Sequence, residues 1–289
     1  MESELVHWVR RPTLRRPVLV AAFEGWNDAA DAASAAARYL ADATEAELVA
    51  TVDPEELYDF TVVRPTVRLI DGVTREILWP EPQLLAAELD GSSRDVLFLQ
   101  AAEPHMRWKA FAAAVVDAAQ GLGVELVLTL GALLAEVPHS RPVRVTGTAA
   151  NPELVAQLGF ERSRYEGPTG IVGVLHDACA RAGIPSASLW ATVPHYVAKT
   201  PSPKATLALV ERAAALLEVP VETVDLEIAA AAYERQITEV VADDAEVAEY
   251  VRRLEDSDDE DEPIVRADLP SADALALEAE RFLREQGGE

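Results

Sequence analysis

Several polar side chains follow the first strongly apolar run of the chain, at the point where that run stops. Residues 18–23 read Val-Leu-Val-Ala-Ala-Phe, and directly after them come Glu24, Gly25, Trp26, Asn27 and Asp28. The pattern predicts a buried strand, a tight turn and the start of a helix, the kind of strand end at which open α/β sheets bind ligands. Helix capping is one interpretation of Asn27 and Asp28. Ligand binding at this turn, with Gly25 and Asn27 among the candidate residues, is the other. Capping does not account for Glu24, a candidate general base or hydroxyl-binding carboxylate, or for Trp26, which suits either a stacking surface or the core.

A second group of polar side chains lies at the end of another predicted strand, residues 95–100. It consists of Gln100, Glu103 and His105. One interpretation is a helix start, because acidic residues favour helix N-termini. The functional interpretation places the three side chains in the same crevice as Glu24, since the carboxyl ends of parallel strands meet at one edge of a sheet. A histidine near a carboxylate is suited to acid–base chemistry around neutral pH.

Three further positions fall at the ends of predicted strands or starts of predicted helices. Gly131 ends the apolar run 124–130, where a glycine permits close approach of another backbone. Residues 167–173 read Gly-Pro-Thr-Gly-Ile-Val-Gly, and their N–H groups before a helix form a candidate anion site containing Gly167, Thr169 and Gly170. A tight turn is the equal alternative for that loop. His195 follows the last predicted strand and is a candidate site residue, with local hydrogen bonding as the alternative.

These candidate residues do not form a known catalytic motif. The sequence contains neither a His-Glu-x-x-His zinc motif nor a Gly-x-Ser-x-Gly nucleophile elbow. The glycine loop at 167–173 is neither a dinucleotide-binding fingerprint nor a phosphate-binding P-loop. The sequence therefore predicts ligand-binding candidates without assigning catalytic residues, a metal or a cofactor.

The order of the predicted elements indicates an α/β fold. Strands at 18–23, 48–52, 95–100, 124–130, 143–148 and 188–193 alternate with helices at 28–41, 107–120 and 169–181, and a helix begins at Asn151-Pro152. Residues 82–89 are also predicted to be a short helix. Such alternation predicts a three-layer α/β/α sandwich with a mostly parallel, mixed sheet.

Two segments depart from this alternation. Residues 57–70 and 73–79 are rich in β-branched residues and lie on either side of Asp71-Gly72. This pattern predicts an inserted β-hairpin near 64–79. Exposed apolar residues of the hairpin, such as Ile77 and Trp79, suit a subunit contact. Residues 204–254 are helical throughout, interrupted at Pro220. An acidic run at 255–262 and a final helix beginning at Pro270-Ser271 follow. We therefore predict a core over residues 1–200 and a C-terminal helical segment with an acidic tail over residues 201–289.

Composition narrows the classes of partner. The 289 residues carry a formal net charge of −25, which disfavours nucleic acid and anionic membrane surfaces as partners. No uncharged apolar run reaches the length of about 20 residues that a membrane helix needs. The N-terminus lacks the pattern of a secretory signal. Cys179 is the only cysteine and is predicted to be a small core residue. Together these features predict a cytoplasmic protein.

Four stretches together resemble the PAC2 family, the proteasome assembly chaperone 2-like proteins, in its actinobacterial branch. They are residues 16–28 (RPVLVAAFEGWND), 97–108 (LFLQAAEPHMRW), 167–173 (GPTGIVG) and 193–196 (VPHY). The resemblance covers most of residues 10–200. It implies a core like that of purine nucleoside phosphorylases and peptidyl-tRNA hydrolases, with C-terminal helices covering the cleft at the sheet edge as a lid.

The resemblance also implies an oligomer and a kind of partner. The inserted hairpin is expected to help form a homo-oligomer, most simply a trimer. Eukaryotic and archaeal members of the family are chaperones or activators of the proteasome. Archaeal members dock through a C-terminal hydrophobic-Tyr-x tail, whereas this chain ends Gln286-Gly-Gly-Glu289, so docking through such a tail is not expected.

Two function hypotheses follow. The first is a protein-assembly or interaction factor with a ligand-capable cleft at the carboxyl edge of the sheet. The second is a hydrolase or phosphorylase acting on a small, nucleoside-like molecule, based on the polar side chains gathered at that edge. Phosphorolysis needs an anion site, for which the loop at 167–173 is the candidate.

Overall fold

The chain folds as a three-layer α/β/α sandwich. The computed structural model describes residues 4–149, 151–162 and 165–257. The strands in these ranges are β1 (Val6–Trp8), β2 (Val18–Glu24), β3 (Glu47–Val52), β4 (Thr66–Ile70), β5 (Thr74–Leu78), β6 (Gln83–Ala87), β7 (Val96–Ala102), β8 (Leu126–Ala135), β9 (Val145–Ala149), β10 (Glu161–Arg162) and β11 (Ser186–Pro194). The helices are α1 (Ala32–Ala43), α2 (Trp108–Gly121), α3 (Pro152–Leu158), α4 (Ile171–Ala182), α5 (Pro203–Leu217), α6 (Val224–Ala242) and α7 (Ala245–Asp256).

The main sheet is mixed and has a parallel centre. Its strand order is β1-β3-β6-β7-β2-β8-β11-β9-β10, and the four central strands β7, β2, β8 and β11 run parallel to one another. The pairs β1–β3, β3–β6, β6–β7 and β11–β9 are antiparallel. The predicted sandwich with a mixed sheet is confirmed, and the carboxyl ends of β2 and β7 lie side by side, with Glu24 opposite Ala102.

Strand β2 explains why the first apolar run is continuous. Val18, Val20 and Ala22 belong to a core that contains residues of α1 and α5. Leu19, Ala21 and Phe23 belong to a second core that contains residues of α2 and α4. A strand covered on both faces has no solvent side, so alternation of apolar and polar residues is absent. Cys179 is fully buried in the second core.

The helix predicted at residues 82–89 is wrong. Gln83–Ala87 form β6, which pairs antiparallel with β3 on one side and with β7 on the other. Leucine and alanine favour helices locally. Hydrogen bonding to two neighbouring strands and burial of Leu84, Ala86 and Ala87 outweigh that local preference.

The hairpin predicted around Asp71-Gly72 is confirmed, and it stands apart from the main sheet. Strands β4 and β5 form their own two-stranded sheet, and nearly all of their residues are exposed. The first strand of the hairpin, β4, is shorter than the predicted run of residues 57–70. Leu57 and Tyr58, at the start of that run, are buried in the second core instead.

The C-terminal helices pack in two different ways. Helix α5 lies in the first core through Ala205, Leu209 and Val210, beside α1. Helices α6 and α7 share a small separate cluster with the segment after β11. The division of the chain at residue 200 remains a prediction. The predicted final helix from Pro270-Ser271 and residues 258–262 of the acidic run lie outside the described residues. None of the described helices combines the length and apolar character needed to cross a bilayer.

Candidate functional site

The turn after β2 is shaped by a glycine and a buried cap. Gly25 has φ +119°, a conformation that side-chain-bearing residues rarely adopt. The Asp28 carboxylate accepts hydrogen bonds from the N–H groups of Ala33 (2.6 Å) and Ser34 (3.2 Å) at the start of α1. Burial raises the pKa of Asp28, while these hydrogen bonds act in the opposite direction. Asp28 therefore caps the helix.

Four of the candidate residues meet in one cluster, which we call the Glu103 cluster: Trp26, Asn27, Glu103 and Gly170. Glu103 Oε1 accepts a hydrogen bond of 2.8 Å from the N–H of Ile171 and a long one of 3.5 Å from Asn27 Nδ2. A Cβ atom added at Gly170 would stand 2.4 Å from Asn27 Nδ2, 2.6 Å from Glu103 Oε1 and 3.0 Å from the Trp26 ring. Gly170 thus leaves the space in which the turn after β2 and the end of β7 meet α4.

The Glu103 cluster changes what the glycine loop can do. Residue 171 is the first residue of α4, so the Glu103 carboxylate occupies the position at the helix N-terminus where an external anion would bind. The protein supplies its own negative charge there. The loop is therefore a docking point for Glu103 in this structure.

Glu24 lies in a neighbouring cavity of about 250 Å³. It forms an ion pair of 2.9 Å with Arg38 of α1, whose other nitrogen donates to the Ser34 hydroxyl at 3.2 Å. Gln100 also lines this cavity and donates to the Ala37 carbonyl at 3.4 Å. Of the predicted candidates, the cavity brings together Glu24 and Gln100.

Sequence reasoning missed most of the residues that line this cavity. They are Arg38 and Ser34 from α1, Gln83 from β6, and Val63, Pro80 and Glu81 at the two ends of the hairpin. The spacing of Ser34 and Arg38, one helical turn apart, was an available signal because both then face the same way. Gln83 was hidden by the incorrect helix assignment.

The remaining glycines serve packing or local turns. A Cβ at Gly131 would lie 2.4 Å from the ring of Trp190, its partner on β11. A Cβ at Gly167 would lie 2.7 Å from the Tyr165 hydroxyl. Thr169 lies against Gly173, which is in the first turn of α4. A Cβ atom added at Gly173 would collide with the Thr169 hydroxyl.

The two candidate histidines lie in other surroundings. His105 Nδ1 accepts a hydrogen bond of 3.0 Å from the Asp59 N–H, and its ring lies edge-on to Tyr58. His195 lies edge-on to the rings of Tyr196 and Tyr250. Within the described ranges neither ring bonds to Glu24 or Glu103. The structure therefore does not bring together the histidine–carboxylate pair that the acid–base hypothesis needs.

The comparisons with known proteins agree with this architecture. The model of the PAC2 family matches residues 22–241, more than half of the chain. The chain belongs to the PAC2 family. A PAC2 family protein from Streptomyces avermitilis is 47% identical, with a TM-score of 0.76, over 81% of this chain and 99% of that one. A proteasome-assembly chaperone homologue from Mycobacterium tuberculosis is 49% identical, with a TM-score of 0.73 and the same coverage.

More distant relatives share the fold. An archaeal proteasome activator from Pyrococcus furiosus is 15% identical, with a TM-score of 0.68, over 83% of this chain and 99% of that one. No curated protein matches this PAC2 chain.

A buried polar network in this PAC2 protein centres on His176 of α4. Its Nε2 lies 2.7 Å from the Ser188 hydroxyl and 3.1 Å from that of Thr129, and its Nδ1 lies 2.8 Å from the Ser186 hydroxyl. Burial lowers the pKa of His176 to about 4. Among the residues that the structure describes, only hydroxyl groups bond to the ring, so the network joins α4 to β8 and β11 through neutral hydrogen bonds. Its sequence signal was three hydroxyl residues within apolar strands.

A second network in this PAC2 protein joins the core to α6. The Thr238 hydroxyl donates its hydrogen to the Glu234 carbonyl at 2.8 Å, so it accepts from His139 Nε2–H at 3.0 Å. Nδ1 of the neutral ring is then an acceptor, and the Tyr196 hydroxyl donates to it at 2.9 Å while accepting from the His139 N–H at 2.8 Å. Burial lowers the pKa of His139, consistent with a neutral ring.

No metal centre is formed by the part of the chain that the structure describes. Within residues 4–149, 151–162 and 165–257, no three His, Cys, Asp or Glu side chains are grouped to hold a metal ion.

Proposed function

We propose that this chain is a protein-assembly or interaction factor that works as a homo-oligomer. The observation that carries the proposal is the exposed apolar hairpin β4–β5. Val67 is 62% exposed, Ile77 54% and Trp79 46%. Exposed apolar patches of this kind mark protein–protein contacts, and an isolated two-stranded sheet is marginally stable without a covering partner.

The charge of the hairpin supports a second copy of this chain as one of its partners. Residues 64–80 contain Arg64, Arg68 and Arg75 against Asp71 and Glu76, whereas the whole chain has a net charge of −25. Because the hairpin itself is not acidic, its contact with another copy of this acidic chain is not opposed by local repulsion between like charges. The family resemblance makes a trimer the expected oligomer.

The named relatives suggest a client. The M. tuberculosis relative is described as a proteasome-assembly chaperone homologue and the P. furiosus protein as a proteasome activator. We therefore extend the proposal to proteasome assembly in the cytoplasm. A chaperone of this kind acts through its surface and needs no reaction centre.

The enzyme hypothesis receives less support. The anion position at α4 is filled by Glu103, and the candidate histidines bond elsewhere. Ser188, although hydrogen-bonded to His176, is only 4% exposed, so a substrate cannot reach it. A phosphorylase would need an open anion site for its attacking phosphate, and a hydrolase would need a base for water or an activated side-chain nucleophile at an open cleft.

The oligomer is tested by measuring the mass of the full chain in solution with light scattering. We expect the wild-type protein to be an oligomer and Ile77→Asp to shift it to the monomer. Ile228→Asp is the matched control, because Ile228 of α6 is 64% exposed and lies outside the hairpin. A monomeric wild type, or an Ile77→Asp variant that keeps its mass, would contradict the proposal.

The client is tested separately, with purified proteasome subunits from the same organism. We expect the wild-type chain to increase the rate at which the subunits form complete particles, and Ile77→Asp to reduce that effect. An assembly rate unchanged by the wild-type chain would remove the proteasome as the client and leave the oligomer result standing.

A further inference from the structure

The cavity beside Glu24 combines opposite charges with neutral amides in a small space. Its floor is a row across three neighbouring strands. Gln83 of β6 is opposite Gln100 of β7, and Gln100 is opposite Ala22 of β2. Paired residues in a sheet point to the same face, so both amides face the cavity, where Ala22 leaves room between the strands and α1.

Charged groups of both signs surround this floor. Arg38 of α1 provides the positive charge, and Glu24 and Glu81 provide negative charges. Arg38 and Glu24 have side chains that are 46% and 58% exposed, so their ion pair is open to solvent. An exposed ion pair contributes little to stability, and a ligand can insert between its partners at small cost.

The size and lining restrict the kind of ligand. A volume of about 250 Å³ lies below the range of roughly 300–1,000 Å³ that is typical of pockets for drug-sized molecules. No aromatic side chain is among the lining residues within the described ranges, so a base or a sugar ring has no surface on which to stack. Val63 and Pro80 add a small apolar contact to the lining.

We propose that this cavity binds a small zwitterion of the α-amino acid type. Its carboxylate pairs with the Arg38 guanidinium, whose planar donors suit a carboxylate. Its ammonium group pairs with Glu24 and Glu81. The amides of Gln83 and Gln100 orient the molecule through neutral hydrogen bonds. A zwitterion satisfies both signs of charge at once, which neither a simple anion nor a simple amine does.

The test is calorimetric titration of the full-length protein with each standard α-amino acid. Propionate, ethylamine, ribose, inosine and inorganic phosphate are the comparison compounds. We expect at least one amino acid to bind, and propionate and ethylamine, which each carry one of the two charges, to bind about tenfold more weakly or worse. The proposal is overturned if no amino acid binds, or if any comparison compound binds as tightly as the best amino acid.

Variants locate the binding site. Arg38→Gln and Glu24→Gln alter exposed side chains, and each is expected to weaken amino acid binding by about tenfold or more. Arg181→Gln is the matched control, because Arg181 forms an exposed ion pair with Asp177 on α4, outside the cavity. Binding that survives both cavity substitutions, or that is lost equally in Arg181→Gln, overturns the assignment. Light scattering of the same samples measures whether each variant keeps the mass of the wild-type protein. A loss of amino acid binding can therefore be distinguished from a change in oligomeric state.

Discussion

Glu103 and Ile171 are joined by a hydrogen bond of 2.8 Å between the Glu103 carboxylate and the first N–H of α4. This contact links the end of β7 to the glycine loop, across 68 residues of sequence. It satisfies one of the N–H groups that every helix start leaves without an internal partner. The charge of the carboxylate also interacts favourably with the helix dipole.

Removing this carboxylate is expected to destabilise the fold. Glu103→Ala should lower the free energy of unfolding by about 1–3 kcal/mol, because the partly buried N–H of Ile171 loses its acceptor. Glu103→Gln keeps an acceptor oxygen and should cost less. Urea unfolding measures both. Glu24→Ala is the control, since it removes only an exposed ion pair, and an equal loss in that variant would contradict the role of Glu103.

A methyl group at residue 170 is expected to separate the Glu103 cluster. In Gly170→Ala the new Cβ collides with Asn27 Nδ2 and Glu103 Oε1, so unfolding should become easier by about 1–3 kcal/mol. Gly121→Ala is the control, because a Cβ there meets no atom within 4 Å. Thermal unfolding of the two variants gives the comparison. Equal midpoints would show that the cluster has room to adjust.

His176 is expected to make the protein less stable in mild acid. Its folded pKa of about 4 lies below the ordinary value of 6.5, so the unfolded chain binds a proton first as the pH falls. Stability is therefore lost between pH 6.5 and about 4, by about 3 kcal/mol from this residue at most. His176→Gln, which cannot titrate, should show a shallower decline in the free energy of unfolding over that interval. Parallel pH profiles for the two proteins would refute the assignment.

The Tyr196 hydroxyl is expected to hold α6 against the core. Burial raises its pKa to about 12, so it stays a neutral phenol that bonds both to the His139 N–H and to the ring. Tyr196→Phe leaves that N–H without its acceptor and should cost about 1–3 kcal/mol. Amide hydrogen exchange should then quicken in α6 but not in α2. Tyr39→Phe, which removes a more exposed hydroxyl contact with the Glu222 carbonyl, is the control.

Much of this architecture could be predicted from residues that are close together in the sequence. The doubly buried β2, the Asp71-Gly72 hairpin and the Asn151 cap of α3 are each specified by residues close together in the chain. Asn151 indeed accepts from the N–H groups of Glu153 and Leu154. The polar turns after β2 and β7 were likewise predictable, because each turn directly follows its own apolar run in the sequence.

Long-range packing decided the rest. Gln83–Ala87 became a strand because β3 and β7 both pair with it, a contribution that no local window contains. The same is true of the candidate residues, since Glu103 faces α4 and Glu24 faces Arg38 only after the sheet and helices are assembled. Sequence determined which polar groups reach the sheet edge, because that depends on local periodicity. Tertiary structure decided which of them are satisfied by one another and which remain open, because each such contact joins segments far apart in the chain.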